Sequence, residues 1–206
     1  MKLCTILLTL TAGLATCSLL PTSYSAPDGQ PDAPPLNATL PHVREIPQRA
    51  NVLGYQREAF GQGWARAGRC TVREEQLEHW LDDPQLTNSC TTVGSGADPY
   101  GTGTMTSPGG VELDHVVPLR AAWDLGAFAW PAERRLAFAN DPLNLVVTSK
   151  EENQAKSDAL PSRWQPSDRF ARCWYARRVA QVAATYELPL PQEDHRAIRR
   201  ACLIAG

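Results

Sequence analysis

The sequence predicts an α+β domain in which a short two-stranded sheet lies among helices and two disulfides close local loops. Two apolar stretches rich in β-branched residues, GVELDHVVPL at 110–119 and LNLVVT at 143–148, are typical of strands. Helical patterns with capping signals separate and surround them. With 206 residues, the chain is long enough for one domain with additional segments.

The first 25 residues have the pattern of a secretory leader. Lys2 precedes the apolar run LCTILLTLTAGLATCSLL, and PTSYS then offers small residues at Ser23 and Ser25. We therefore expect a signal peptide over 1–25, a secreted protein, and no stable membrane association after leader removal. Two alternatives stay open: a retained membrane anchor, since a run of about 18 residues nearly spans a bilayer, and lipid anchoring at Cys17.

The cysteines beyond the leader favour disulfides, because thiols of exported proteins are usually paired. Four remain, and they allow three connectivities: Cys70, Cys90, Cys173 and Cys202. We favour Cys70 with Cys90 and Cys173 with Cys202, since each pair closes a short local loop. The alternative, a zinc–thiolate site, lacks the CxxC spacing that such sites use.

A proline-rich segment separates the leader from the expected domain. Seven prolines interrupt a polar stretch from Pro21 to Pro47. We expect residues 26–51 to form an extended, disordered linker and residues 52–206 to form the folded domain. Asn37 begins an NAT sequon, which matters only where the source glycosylates such sites.

Local patterns predict the first elements of this domain. YQREAFGQGWARAG at 55–68 puts Phe60 and Trp64 one helical turn apart, which favours a helix. Thr71 and Glu74 have capping-box spacing at the start of a second helix that ends before Pro84. The glycine- and threonine-rich stretch between residues 90 and 110 indicates turns and a mobile loop.

The second half of the domain also reads as mostly helical. RAAWDLGAFAWPAERRLAFAN at 120–140 predicts helical material in which Pro131 begins a second helix. Ser149 and Glu152 repeat the capping-box spacing, and the helix they start carries Asn153 and Lys156 on one face. Two further helices are expected from Ser167 to about Tyr186 and from about Gln192 to Leu203.

The overall charge does not indicate a nucleic-acid-binding protein, since the formal net charge is −2. The distribution is uneven, however. Residues 161–206 hold eight arginines against four acidic residues, and residues 54–73 hold four arginines against Glu58. Ordinary solvated helix faces explain such clusters most simply, and basic binding faces are the alternative.

Four residues form a pattern across the two predicted strands and the following helix. Asp114 and His115 lie on the first strand, Asn144 heads the second, and Asn153 lies on the helix. With YQREAFGQGW, DPYGTG, RLAFANDPLNLVVTSKEENQAKSD and RWQP, the chain resembles the secreted HNH, or ββα-metal, endonucleases in the variant whose last histidine is asparagine. These are related to the nuclease part of modification-dependent restriction enzymes. The resemblance covers about residues 55–188.

The resemblance implies an endonuclease with a ββα-metal core that hydrolyses phosphodiester bonds in DNA, with RNA as a second substrate, using one metal ion. His115 takes the role of general base, since an imidazole with a pKa of about 6.5 is neutral at working pH. Asp114 and Asn153 offer oxygen ligands for Mg²⁺, with Mn²⁺ or another divalent ion as alternatives. Asn144 would hold the loop that aims His115. Lys156 would contact a phosphate, or else be a solvated helix lysine.

One candidate departs from the pattern of the resembled family. Relatives have an acidic-Thr-Arg stretch after the first cysteine, whereas Thr71, Val72 and Arg73 follow Cys70 here. Arg73 is therefore a second, weaker candidate for phosphate binding.

The expected partner is nucleic acid, bound mainly through its phosphate backbone. Two other functions stay open: a catalytically silent nucleic-acid-binding module with the same fold, and a delivered nuclease toxin that needs a cognate inhibitor.

Overall fold

The computed structural model describes residues 32–203, so the predicted signal peptide lies outside the described residues. The helices are α1 (Leu36–Thr39), α2 (Val72–Trp80), α3 (Leu119–Asp124), α4 (Ala132–Asn140), α5 (Lys150–Lys156), α6 (Ala171–Tyr186) and α7 (Gln192–Leu203). The strands are β1 (Glu45–Ile46), β2 (Arg66–Ala67), β3 (Cys70–Thr71), β4 (Asp82–Leu86), β5 (Thr92–Ala97), β6 (Thr104–Ser107), β7 (Val111–His115), β8 (Leu145–Ser149) and β9 (Leu190–Pro191).

The predicted two-stranded sheet is confirmed, as is the α+β class. Strands β7 and β8 pair in antiparallel register, with His115 opposite Leu145 and Val111 opposite Ser149. Helix α5 follows β8 directly, and the Ser149 Oγ accepts a hydrogen bond from the Glu152 N–H at 3.2 Å. This N-cap ends the strand and starts the helix, so that α5 lies beside the sheet.

Both faces of this sheet are buried. Leu113, Leu145 and Val147 pack in one apolar cluster with Leu77 of α2. Val146 belongs instead to the larger core, which is built around α6 and includes the fully buried Trp174. Burial on opposite faces fixes the strand register, because a slip of one residue would exchange the two sets of side chains.

Both predicted disulfides are confirmed. Cys70 and Cys90 are joined across 20 residues, and Cys173 and Cys202 across 29. The second bridge holds α6 and α7 together as a hairpin. Each bond restricts the unfolded chain and on loop entropy contributes about 3 kcal/mol of stability.

The predicted helix over residues 55–68 is wrong. Only a 3₁₀ turn forms, at Arg57–Phe60. Gly61 and Gly63 follow with φ angles of +121° and +80°, which a right-handed helix cannot contain. Strand β2 then pairs with β3, and Phe60 packs in the main core while Trp64 packs against the cluster around Leu77.

The prediction of turns and a loop for the glycine-rich stretch after Cys90 is only partly right, because residues 98–103 connect two strands but the residues on either side of them are in a sheet. Strands β4, β5 and β6 form a three-stranded antiparallel sheet. A side chain at Gly96 would place a Cβ atom 3.1 Å from the carbonyl oxygen of Trp80, so the missing side chain lets β5 pass close to the end of α2. Glycine here therefore marks a close backbone approach rather than a turn.

The linker prediction is wrong for residues 32–51. Helix α1 and a 3₁₀ turn at Leu40–His42 form within it, and Leu40 and Val43 are buried in the main core. Strand β1 pairs in parallel with β9, with Glu45 opposite Leu190. The segment packs because a distant strand supplies its partner, which a local composition argument cannot detect.

The remaining predicted helices form with small changes at their ends. Helix α4 begins directly after Pro131, and α7 has the predicted bounds. Helix α6 begins at Ala171 rather than Ser167, because Ser167–Phe170 form a turn in which the Asp168 N–H donates to the Tyr100 carbonyl. Within residues 32–203, no helix is both long and apolar enough to cross a membrane.

Candidate active site

The end of β7 aims His115 and Asp114 to opposite sides of the strand. The ring of His115 stacks on Trp64, with centroids 5.3 Å apart and planes at 23°. The Asp114 carboxylate instead meets Lys156 of α5. This is the alternation that a strand imposes on neighbouring side chains.

A hydrogen bond determines the tautomer of His115. Its Nε2 atom lies 2.9 Å from the carbonyl oxygen of Ala139. A carbonyl only accepts, so Nε2 carries the hydrogen and Nδ1 of the neutral ring keeps its lone pair. Burial is the main cause that lowers the pKa of His115 to about 3, and the charges of Arg57 and Lys156 add to it. His115 is therefore neutral near pH 7 and able to accept a proton at Nδ1.

Asn144 ties down the chain that follows His115. Its side-chain oxygen accepts from the Val117 N–H at 2.8 Å, and its amide nitrogen donates to the Val117 carbonyl at 3.3 Å. Its own carbonyl accepts from the Val116 N–H at 2.8 Å. Asn144 is fully buried, so these bonds do not compete with water. The structure thus brings Asn144 to the loop that it was predicted to hold.

Asp114 lies in a buried polar cluster that the sequence did not reveal. Lys156 donates to the Asp114 Oδ1 at 3.0 Å and to the His115 carbonyl at 2.8 Å, and its ammonium nitrogen lies 2.9 Å from the Asp114 Oδ2. The Tyr100 hydroxyl donates to the same carboxylate at 3.0 Å. Burial raises the pKa of Asp114 and lowers the pKa of Lys156, while the charge of each partner opposes the shift.

This cluster corrects the prediction for Lys156. The residue is fully buried, so it is neither a solvated helix lysine nor placed to contact a phosphate. Its spacing from Asn153 is as predicted, but the face of α5 that it shares points toward the strand rather than toward solvent. Lys156 neutralises a carboxylate inside the protein, and it connects α5 to β7.

Asn153 lies on the same side of β7 as Asp114. Its amide nitrogen donates to the Glu112 carboxylate at 2.6 Å. Glu112 and Asp114 are two residues apart on one strand, so both point toward α5. Glu112 therefore places a further carboxylate near Asp114 and Asn153, the two predicted metal ligands.

Three of the predicted site residues line one concave surface of about 420 Å³, here called the His115 cleft, whereas the fully buried Asn144 and Lys156 do not. Its lining residues come from β7, α3, α5 and the chain around the start of the 3₁₀ turn at Arg57–Phe60, and they include Asp114, His115, Asn153, Tyr55, Arg57 and Arg120. Arg73 is not among them. It pairs with Glu74 at 3.2 Å at the start of α2, so the structure does not bring it to the predicted site.

Arg57 is the functional candidate that the residue-by-residue reasoning missed. It lines the His115 cleft and also a smaller cavity on the Trp64 side of His115. Its side chain is exposed and makes no salt bridge with any residue in 32–203. The signal was present, because Arg57 lies within the arginine-rich stretch 54–73, but the charge count alone did not single it out.

The donors in the cleft fit a hard divalent cation in chemical type. Asp114 and Asn153 line the cleft and offer a carboxylate and an amide oxygen, the kinds of ligand that Mg²⁺ uses alongside several waters, and Glu112 lies beside Asn153. Within residues 32–203, no group of three or more His, Cys, Asp or Glu side chains is placed to hold a metal ion, so a cation here would take most of its ligands from water and substrate oxygens. The Asp114 carboxylate already accepts hydrogen bonds from Lys156 and Tyr100, so it is less available to a cation than a carboxylate without such partners.

Comparison with known proteins is consistent with this geometry. The family described as "GmrSD restriction endonucleases, C-terminal domain" matches residues 62–200. The chain belongs to this family. Membership confirms the resemblance noted in the sequence and supports a nuclease-type function with a nucleic-acid substrate. The family match includes β7, β8 and α5 and therefore all four residues of the predicted pattern.

The chain is also similar to a fungal protein. It is 34% identical over 188 residues to an uncharacterized secreted protein of Arthroderma benhamiae, and the aligned region covers 90% of each chain. No solved structure matches the chain. The similarity extends beyond residues 62–200, because the aligned length exceeds that of the family match.

Proposed function

We propose that the protein is a secreted, metal-dependent HNH endonuclease that hydrolyses phosphodiester bonds of DNA, with RNA as a second substrate. One observation carries this proposal. The Ala139 carbonyl fixes the hydrogen of His115 on Nε2, which leaves Nδ1 as the proton acceptor on a residue that lines the cleft. Family membership supplies the reaction class, and the tautomer supplies the base.

In the proposed reaction, His115 Nδ1 takes a proton from the water that attacks the phosphorus atom. The depressed pKa keeps the ring neutral over the working pH range, so the Nδ1 lone pair is available, but it also makes this ring a weaker base than a free imidazole. Trp64 and the Ala139 carbonyl hold the ring in one orientation, and Asn144 fixes the loop beyond it. Such preorganisation matters because small displacements of a catalytic group lower rates strongly.

Asp114 and Asn153 are the residues that would hold the cation, which we propose to be Mg²⁺, with Mn²⁺ as a substitute. When bound, the ion would supply positive charge against the phosphate oxygens and the leaving oxygen. Lys156 already neutralises part of the Asp114 charge, so we expect weaker metal affinity than at an unpaired carboxylate. Glu112 adjoins Asn153 and keeps that amide in place.

Arg57 takes the phosphate-contacting role that was predicted for Lys156. It is exposed, lines the cleft and has no salt-bridge partner within residues 32–203. A guanidinium offers several donors in a planar arrangement that matches phosphate oxygens. Arg120 also lines the cleft, but it is already paired with Asp124 at 3.1 Å.

Secretion is supported by the leader pattern and by the printed description of the fungal relative as secreted. Both disulfides are consistent with an oxidising compartment. Cleavage near Ser25 would release the described domain intact. Mass analysis of secreted material tests this, since an N-terminus that still carries Lys2, or a lipid on Cys17, would contradict it.

A catalytically silent nucleic-acid-binding module is the second candidate, and one observation favours it. Asp114 is buried and already satisfied by Lys156 and Tyr100, so the fold does not need a cation to neutralise it. Cleavage assays on plasmid DNA and on RNA with Mg²⁺, with Mn²⁺ and with EDTA separate the two. The endonuclease proposal expects metal-dependent cleavage that EDTA abolishes, whereas binding without cleavage under every condition would favour the silent module.

A further inference from the structure

A second basic surface lies away from the His115 cleft. Four arginines line a groove of about 450 Å³, here called the arginine groove, and no acidic residue is among its described lining residues. They come from the segment before α6, from α6 and from α7: Arg163, Arg169, Arg172 and Arg200. These account for half of the arginines in the basic stretch 161–206.

The positive charge of this groove is largely uncompensated. Within residues 32–203, no salt bridge forms at Arg169, Arg172 or Arg200. Arg163 lies 3.8 Å from Glu193, and the Arg163 side chain is mostly exposed while that of Glu193 is half exposed. Arg172 is oriented by its Nε atom, which donates to the Pro166 carbonyl at 2.9 Å. Clustered guanidinium groups without acidic partners repel one another and attract anions, phosphate above all.

An exposed aromatic ring accompanies the charges. Phe170 does not line the groove but follows Arg169, which does; Phe170 is 56% exposed, and the Arg169 guanidinium lies over its ring, 4.5 Å from the centroid. Trp164 lines the groove and is held edge-on against Tyr100 and Tyr175. Aromatic faces beside a basic groove suit single-stranded nucleic acid, because its bases are free to stack on them, whereas duplex bases stack on each other.

The groove connects with the proposed catalytic cleft through a third concave surface. That surface shares Arg120 and Asp158 with the His115 cleft, and it shares Ser162 and Arg163 with the arginine groove. The three depressions therefore adjoin in sequence. The connecting surface also holds Asp124, Asp158, Glu193 and Asp194, so we expect phosphates to bind in the cleft and in the groove rather than along the stretch between them.

We propose that the arginine groove binds the phosphate backbone of a single-stranded stretch of the nucleic-acid substrate, with a base stacked on Phe170. This inference rests on the proposed function for the identity of the ligand. The groove would bind substrate remote from the reacting phosphate, so it contributes to affinity without taking part in the chemical step.

Binding is tested in EDTA, where the proposed cleavage cannot proceed. A fluorescently labelled single strand of about 16 nucleotides, at the upper end of the lengths that known single-strand-binding sites cover, is titrated with the wild type and with an Arg169→Gln/Arg200→Gln variant. The matched control is Arg196→Gln/Arg199→Gln, which removes the same charge from exposed positions on α7 outside the groove. We expect Kd to rise about 10-fold or more for the groove variant only, as for lost contacts to charged groups.

The salt dependence and the aromatic residue give independent measurements. The slope of log affinity against log salt should become shallower by about 1.4 in the groove variant, since each phosphate contact on a single strand contributes about 0.7. Phe170→Ala should weaken single-strand binding about 5-fold or more and leave duplex binding unchanged. Equal loss in groove and control variants would contradict the inference, as would binding of heparin but not of the oligonucleotide.

Cleavage assays separate this inference from the proposed function. If the wild type cleaves, the groove variant should raise KM and leave kcat unchanged. If the wild type cleaves and the groove variant binds like the control, the groove inference is wrong and the proposed function stands. If the wild type never cleaves but the groove variant loses oligonucleotide binding, the groove inference stands and the endonuclease proposal is wrong.

Discussion

Lys156 places its ammonium group 2.9 Å from the carboxylate of Asp114, although the two residues are 42 positions apart and both are buried. The pair joins the helix that follows the sheet to the strand that carries His115. Lys156 also donates to the His115 carbonyl, so one side chain holds both residues of the Asp-His pair in position.

Removal of the Lys156 charge should destabilise the fold. Lys156→Met leaves Asp114 buried without its counterion, and loss of one partner of a buried pair costs about 3–5 kcal/mol. Urea denaturation measures the free energy of unfolding, with Lys150→Met as control because Lys150 is exposed on the same helix. Similar losses in both variants would show that the buried pair has no special role.

The metal dependence of cleavage should distinguish Asp114 from an ordinary cleft carboxylate. We expect Asp114→Asn to raise the Mg²⁺ concentration for half-maximal cleavage about 10-fold or more, a change typical of perturbed metal sites. Excess Mg²⁺ or Mn²⁺ should then restore part of the activity. Asn153→Ala should act in the same direction but more weakly, since an amide oxygen is a weaker ligand than a carboxylate.

Asp158→Asn serves as the control for this titration. Asp158 also lines the His115 cleft, but its side chain is 53% exposed and paired with Arg49 at 2.8 Å. Its metal requirement should stay near that of the wild type. If Asp114→Asn slows cleavage with no shift in metal requirement, Asp114 is not a ligand.

Asn144→Ala should lower the rate without a change in metal dependence. The variant leaves the Val117 N–H buried and unpaired, which costs about 1–3 kcal/mol of stability and loosens the loop after His115. Asn88→Ala, at an exposed position, should change neither stability nor rate. A shift in the half-saturating metal concentration of Asn144→Ala would argue against a purely positioning role.

The pH dependence follows from the low pKa of His115. The folded-state pKa is about 3 and the ordinary value is 6.5, so the unfolded chain binds the extra proton between these limits. The stability that the neutral ring contributes is present above pH 6.5 and decreases as pH falls toward 3, with a slope of about 1.4 kcal/mol per pH unit. His115→Gln should remove this slope from unfolding measurements in EDTA. A wild-type slope that the variant retains would contradict the assignment.

Local sequence signals were sufficient to predict the unit that carries the candidate site. The two apolar stretches became β7 and β8, and the Ser149 and Glu152 spacing began α5 as predicted. Asn144 reached the loop after His115 because it directly precedes β8, opposite the end of β7. Each of these features depends on neighbours within a few residues.

Features that depend on distant partners were missed. The burial of Lys156 follows from Asp114 and not from its helix position, since spacing along α5 gives a face but not its surroundings. The docking of β1 requires β9, and the sheet containing β5 requires a close approach to Trp80 at glycine positions. In 55–68, the apolar spacing favoured a helix, but three glycines there adopt positive φ angles that a right-handed helix does not contain.

The central claim is that His115 is the general base, and one rate measurement tests it most directly. Single-turnover cleavage of plasmid DNA is compared for wild type, His115→Ala and the exposed-histidine control His79→Ala, each at saturating Mg²⁺ and with folding verified by urea denaturation. We predict that His115→Ala lowers the rate by about 10² to 10⁴ while His79→Ala has no effect. Wild-type cleavage rates in folded His115→Ala would contradict the proposed mechanism.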